Sequence, residues 1–257
     1  MARTIAIVNQ KGGVGKTTTA VNLGAYLALL GKFVLLADVD PQANSTSGMG
    51  VDVAKLEKGI YNTLVEPVLF REIVLGTGIQ GYKIAPATQD LAGARVELVN
   101  LEDREYKLAN ALLEVKNDYD YILIDCPPSL DLLTLNGLVA ADELIIPVQA
   151  EYLALEGLGQ LLNTVNLVKE NLKPELNILG AIVTMYDKRN KISADVLSEL
   201  KQHFPSRLFD TIIPRNVRLT EAPSFGQTIL SYDAASEGGR AYESLAREII
   251  EQENYIY

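Results

Sequence analysis

The sequence predicts an α/β fold: a doubly wound, mostly parallel sheet with helices on both faces. Three observations lead there. Short β-branched runs alternate with longer segments of helical spacing. Several runs are apolar without alternation, as in parallel strands covered on both faces. The unusual polar residues follow strands, where open sheets of this kind bind their ligands.

In order, TIAIVN (4–9), FVLLAD (33–38), YKIAPA (82–87), YILID (121–125), ELIIPV (143–148), ILGAIVT (178–184) and FDTIIP (209–214) read as strands. Residues 17–30, 94–115, 151–171, 192–203 and 237–251 carry helical spacing. Gly31 stands where a helix C-cap is needed before the second strand. No repeat, low-complexity tract or linker interrupts the pattern, so residues 1–257 read as one domain.

The chain is 48% hydrophobic, enough for a sizeable core. Its single cysteine excludes a disulfide or a Cys-cluster metal site within one chain. MARTIAIVNQ has no secretory pattern and no apolar run reaches membrane-spanning length, so a cytoplasmic protein is expected. The net charge of −10 argues on average against nucleic acid. The charge is uneven, however. Residues 180–220 hold seven basic and four acidic side chains, while the tail from 221 holds two basic and seven acidic.

The first strand runs into NQKGGVGKTTT (9–19). The common phosphate loop, G-x-x-x-x-G-K-[ST], is half present: Gly15-Lys16-Thr17 supplies its end, but Gln10 occupies the first glycine position and Lys11 is an extra lysine. Gly12, Gly13 and Gly15, with Val14 between them, let the backbone curl round an anion. A helix starting near Lys16 aims N–H groups and a positive dipole end at the same place, bringing in Thr18. Lys16 suits the β/γ-phosphates of ATP and the Thr17 hydroxyl suits Mg²⁺. YILIDCPPS then offers Asp125 at a strand end, placed to hold a metal-bound water. ADVDPQANS offers two more carboxylates. Asp40, farther out of the sheet, is the candidate to orient the attacking water, and Asp38 the candidate to support the metal shell.

Taken together, KGGVGKTT, VDPQANSTSGMG, DCPPSL, PVQAEYLALEGL and IIPRNVRLTEAPSFG resemble the ParA/Soj family of chromosome- and plasmid-partitioning ATPases, in the deviant Walker A group of P-loop NTPases. The resemblance runs from about residue 3 to residue 250. It implies that Lys11 is the signature lysine, reaching across an ATP-bound homodimer to the partner's phosphates as a trans-acting charge. It implies that Pro214 and Asn216 belong to the adenine loop. It also implies non-specific binding of double-stranded DNA through Arg189 and Arg218, with Lys188, Lys191 and Arg215 nearby. Such contacts go to phosphates and weaken with salt. A ParB/Spo0J-like partner that stimulates hydrolysis, and a nucleoid location, follow from the same resemblance. The basic residue that relatives often carry near Gln227 is absent.

Other readings fit less well. His203, the sole histidine, sits on a polar helix end and reads as a surface residue. Cys126 reads as a small buried side chain, and one cysteine is too few for the cluster of the related nitrogenase iron protein. The tail ESLAREIIEQENYIY is acidic, unlike a MinD-type membrane helix. The first strand begins too early for an N-terminal operator-binding domain. A small-molecule ligase or kinase on the same fold remains the alternative from another class.

Overall fold

The computed structural model describes residues 1–151, 154–204 and 207–253, without the side chains of residues 154–156 and 203. Its strands are β1 (Arg3–Ile7), β2 (Val34–Asp38), β3 (Leu75–Gly76), β4 (Tyr82–Ala85), β5 (Tyr121–Asp125), β6 (Glu143–Gln149), β7 (Asn177–Tyr186) and β8 (Leu208–Pro214). They form one eight-stranded sheet in the order β3-β4-β2-β5-β1-β6-β7-β8. Only the short edge strand β3 is antiparallel to its neighbour. The expected doubly wound, mostly parallel sheet is therefore the fold.

Apolar runs without alternation become strands buried twice over. Ile5 and Ile7 enter one core with Val34, Leu36 and Leu123, while Ala6 and Val8 enter the other with Leu35, Ala37 and Ile124. The first core is closed by α1 (Lys16–Leu29), α10 (Ile229–Asp233) and α11 (Glu237–Glu253). The second is closed by α3 (Ile60–Val65), α4 (Leu91–Glu97), α5 (Lys107–Leu112), α6 (Leu132–Ala140), α7 (Ala154–Asn171) and α8 (Lys191–His203). Each fully buried Ile or Leu stabilises by about 1.5–3 kcal/mol, so two-sided burial fixes β1, β2 and β5 at the centre. Two short helices, α2 (Asn44–Gly48) and α9 (Val217–Glu221), lie after strand ends.

The C-terminus of α1 follows the sequence reading. Gly31, at φ +87°, lets its own N–H reach Ala28 O (3.0 Å) and the Lys32 N–H reach Leu27 O (3.1 Å). The helix expected over 94–115 is a correction: it divides into α4, a single 3₁₀ turn over 98–100, and α5. The reason is tertiary. Asn136 on α6 accepts from Leu108 N (3.0 Å) and donates to Arg104 O (2.8 Å), satisfying the backbone where the helix opens. The sequence reading also lacked α6, which is apolar nearly all round. Asp131 starts it, accepting from Leu133 N at 3.0 Å. The His203 side chain and residues 152–153 of the EYLALEGL stretch lie outside the described residues, as do residues 254–257 of the acidic tail. Among the described residues no helix is long and apolar enough to cross a membrane.

Candidate functional site

The chain winds from β1 to β2 on one side and later crosses β1 from β5 to β6 on the other, so the strand order reverses at β1 and its carboxyl end is the crevice where such sheets bind ligands. The loop from Val8 to Gly15 starts there. Asn9 shapes it: its Nδ2 donates to Pro147 O (2.7 Å) at the end of β6, and its Oδ1 accepts from Lys11 N (2.9 Å). Gly13 and Gly15 turn the chain at φ +74° and +90°, a region only glycine enters freely. The Thr184 hydroxyl on β7 donates to Val14 O (2.8 Å) and closes the loop from the far side. Gly15 then caps α1, whose first N–H groups are left free for an anion.

The two lysines occupy different places. Lys16 is only 7% exposed and donates to Lys11 O (3.1 Å). Burial lowers its pKa, while the carboxylates of Asp125 and Asp40 oppose that. The Lys11 ammonium stands at the rim, 3.6 Å from the Glu151 carboxylate.

Asp38 and Asp125 are fully buried at the ends of adjacent strands. Asp38 Oδ2 accepts from both Thr46 N (2.8 Å) and Thr46 Oγ1 (2.7 Å), and its Oδ1 from Asp40 N (3.2 Å). Asp125 Oδ2 accepts from Ser45 Oγ (2.7 Å), whereas its buried Oδ1 has no donor. Burial raises both pKa values, Asp38 further through the nearby Asp125 charge. Asp40 reaches farther out, as its sequence position suggested, and lines the cavity with Oδ1 accepting from Gln42 N (2.9 Å).

Two cavities meet here. One, of about 490 Å³, is lined by Gly12, Gly13, Lys16, Thr17, Asp40 and Gln227 among others. The second, of about 350 Å³, is lined by Pro214, Arg215, Asn216, Leu219, Thr220 and Tyr242 among others. Gly15, Thr18, Met185 and Pro223 line both, so the pair forms one bent cleft of phosphate-sized and base-sized parts. Asn216 Oδ1 is used to cap α9, accepting from Arg218 N (2.8 Å), which leaves its amide NH₂ to the cleft. Thr184, Met185, Pro223 and Tyr242 were missed in the sequence. Met185, at φ +53°, carries no motif, and Tyr242 arrives from the far end of the chain. The unpartnered Asp125 oxygen, the Thr17 hydroxyl and Asp40 are hard oxygen donors, and their chemistry fits Mg²⁺.

The expected basic residues are only partly together. Lys188, Arg189 and Arg215 line a common cleft of about 290 Å³ beside the base-sized cavity. Lys191 starts α8, and Arg218 turns to Glu221 (2.9 Å) and Asp233 (3.5 Å) instead. Arg189 forms a two-pronged pair with Asp187 (3.0 and 2.9 Å), which holds the Asp187 pKa down to about 2.

A glycine loop between strand and helix, a buried lysine and a carboxylate on the neighbouring strand end define a P-loop nucleotide-binding protein of the two-lysine kind. A family model described as an AAA domain matches residues 2–178. The sporulation initiation inhibitor protein Soj of Bacillus subtilis (strain 168) is 53% identical over 249 residues, 97% of this chain and 98% of that protein. The chromosome-partitioning ATPase Soj of Treponema pallidum (strain Nichols) is 52% identical over 97% of this chain and 98% of that one. Among solved structures, cobyrinic acid a,c-diamide synthase from Mycobacterium smegmatis with bound ADP and magnesium matches at TM-score 0.86 and 38% identity, covering 97% of this chain and 94% of that one. The chain belongs to the ParA/Soj family of chromosome-partitioning ATPases.

Proposed function

We propose that this chain is an ATP-driven dimerising switch for chromosome or plasmid segregation, binding DNA non-specifically while ATP is held. The observation that carries the reading is the division of labour within one loop: Lys16 is buried in the cleft and Lys11 stands at its rim. A lysine outside its own phosphate site can serve the phosphates of a second copy.

In this reading Gly12 to Thr18 wrap the phosphates of ATP, and desolvated Lys16 gains its counter-charge from the β/γ-phosphates. Pro214 and Asn216 hold the base, the free Asn216 amide donating to an acceptor on its edge. Thr17 would hold Mg²⁺ directly and Asp125, supported by Asp38, would hold a water bound to it; the ion would neutralise phosphate charge. Asp40 orients the attacking water. The partner's Lys11 adds positive charge in trans, as an arginine finger does.

Dimerisation places two sets of Lys188, Arg189, Lys191, Arg215 and Arg218 together for DNA phosphates, and hydrolysis separates them. A ParB/Spo0J-like partner with a basic segment, suited to this acidic protein, stimulates hydrolysis at the nucleoid. A second reading, an ATP-dependent small-molecule synthase, draws on the name of the Mycobacterium smegmatis relative. The partitioning relatives are more similar in sequence.

The test is light scattering and DNA binding of wild type and Asp40→Ala across a salt series, with ATP, ADP or no nucleotide. The switch requires an ATP dimer that binds DNA less as salt rises, and neither property with ADP. Turnover that needs a small acceptor and ignores DNA would move the assignment to the synthase reading.

A further inference from the structure

The rim lysine is not free in the single chain. β6 ends at Gln149, and Ala150 N donates to Thr184 O (3.1 Å), so the chain beyond the strand is tied to β7. Glu151 follows, its N–H donating to Gln149 O (2.7 Å) and its Oε1 accepting from Gln149 Nε2 (2.7 Å). Thus oriented, one carboxylate meets two cations from two other loops: Lys11 Nζ lies 3.6 Å from Oε2 and Arg215 Nη2 lies 3.6 Å from Oε1. Among the described ion pairs, no other carboxylate joins the phosphate loop to the basic cleft. The remaining arginines of that region are held locally, Arg189 by Asp187 and Arg218 by Glu221 and Asp233.

We infer that Glu151 is a positioning residue that parks Lys11 in the single chain and so sets how much nucleotide charge is needed to recruit that lysine across a dimer. The inference rests on the proposed trans role of Lys11. An ammonium cannot sit on Glu151 and on another chain's phosphates at once, so every dimer contact by Lys11 competes with this pair. The pair is built to be outcompeted. The side chains of Lys11 and Glu151 are 33% and 49% exposed, the separation is longer than a hydrogen bond, and exposed pairs of this kind are worth little. The cost of leaving Glu151 is the same with either nucleotide, and a triphosphate brings more negative charge than a diphosphate, so ATP overcomes that cost more readily than ADP. Arg215 completes the device: when Lys11 departs, the carboxylate keeps a cationic partner and is not left unpaired.

The test measures dimerisation by light scattering over protein concentration, with ATP and with ADP, for Glu151→Gln, Glu151→Asp and Lys11→Ala, each in the Asp40→Ala background. Glu151→Gln should dimerise with ATP at a concentration lower by roughly two- to fivefold per pair released. The gain should be at least as large with ATP as with ADP, and it should fade at high salt. Glu151→Asp, which keeps the charge, should behave like the parent. If Glu151→Gln matches the parent while Lys11→Ala abolishes the dimer, parking is wrong and the switch stands. Weaker dimerisation of Glu151→Gln overturns parking as well, since Glu151 then contributes to the assembled dimer. If Lys11→Ala dimerises like the parent, the trans role fails and this inference fails with it.

Discussion

Asp38 and Asp125 face each other in register at the ends of β2 and β5, both fully buried, and one short helix serves them both: Thr46 of α2 donates to Asp38 and Ser45 to Asp125. Two carboxylates this close without water raise each other's cost of ionisation. The α2 hydroxyls lower that cost and, in return, fix the segment that carries Asp40.

This arrangement makes the protein without nucleotide or metal sensitive to pH. Both carboxyl pKa values are raised in the folded state above an unfolded value of about 4. The folded state therefore holds more protons, and stability falls as pH rises from about 4 through neutrality. Asp125→Asn should flatten that slope and raise the stability at pH 8 by about 1 kcal/mol or more, roughly 2–4 °C in Tm per kcal/mol. Thermal unfolding at pH 6 and pH 8 without Mg²⁺ checks it. An unchanged slope would show that the Asp125 proton is not responsible.

Thr46 should matter for stability out of proportion to its size. Its hydroxyl donates to Asp38 (2.7 Å) and accepts from Ala87 N (3.0 Å), so Thr46→Val strands a buried N–H and weakens a buried carboxylate. The expected cost is about 1–3 kcal/mol in urea unfolding, with Thr46→Ser recovering most of it. A larger loss for Thr46→Ser than for Thr46→Val would assign the effect to packing by the methyl group.

The same substitution should have opposite signs at two helical glycines. Intrinsic propensity favours alanine over glycine by about 1 kcal/mol in a helix. At Gly157 in α7 a Cβ meets nothing within 4 Å among the described residues, so Gly157→Ala should stabilise by about that amount. At Gly24 in α1 a Cβ would overlap the Tyr82 ring, whose hydroxyl donates to Val21 O at 3.1 Å. Overpacking of that kind costs about 1–3 kcal/mol and should outweigh the propensity gain, making Gly24→Ala destabilising. Denaturant midpoints of the two variants, measured side by side, settle the comparison.

Local chemistry alone determined much of this protein. Two-sided apolar runs specify central parallel strands wherever they fold, because both faces must be covered. Glycines before Lys16 specify a tight loop, since other residues resist the backbone angles seen at Gly13 and Gly15. Strand-end aspartates belong at the carboxyl edge of such a sheet, and the structure brings Asp38, Asp40 and Asp125 together there. What only the tertiary structure decided depends on partners distant in sequence. The break between α4 and α5 is set by Asn136, and the pairing of Asp38 with Asp125 by a register across 87 residues. The base-sized cavity needs Tyr242 from the last helix, and Lys11 rests on Glu151 because β1 and β6 run side by side. A residue's type limits what it can bind, but which charge it meets is set by which strands become neighbours.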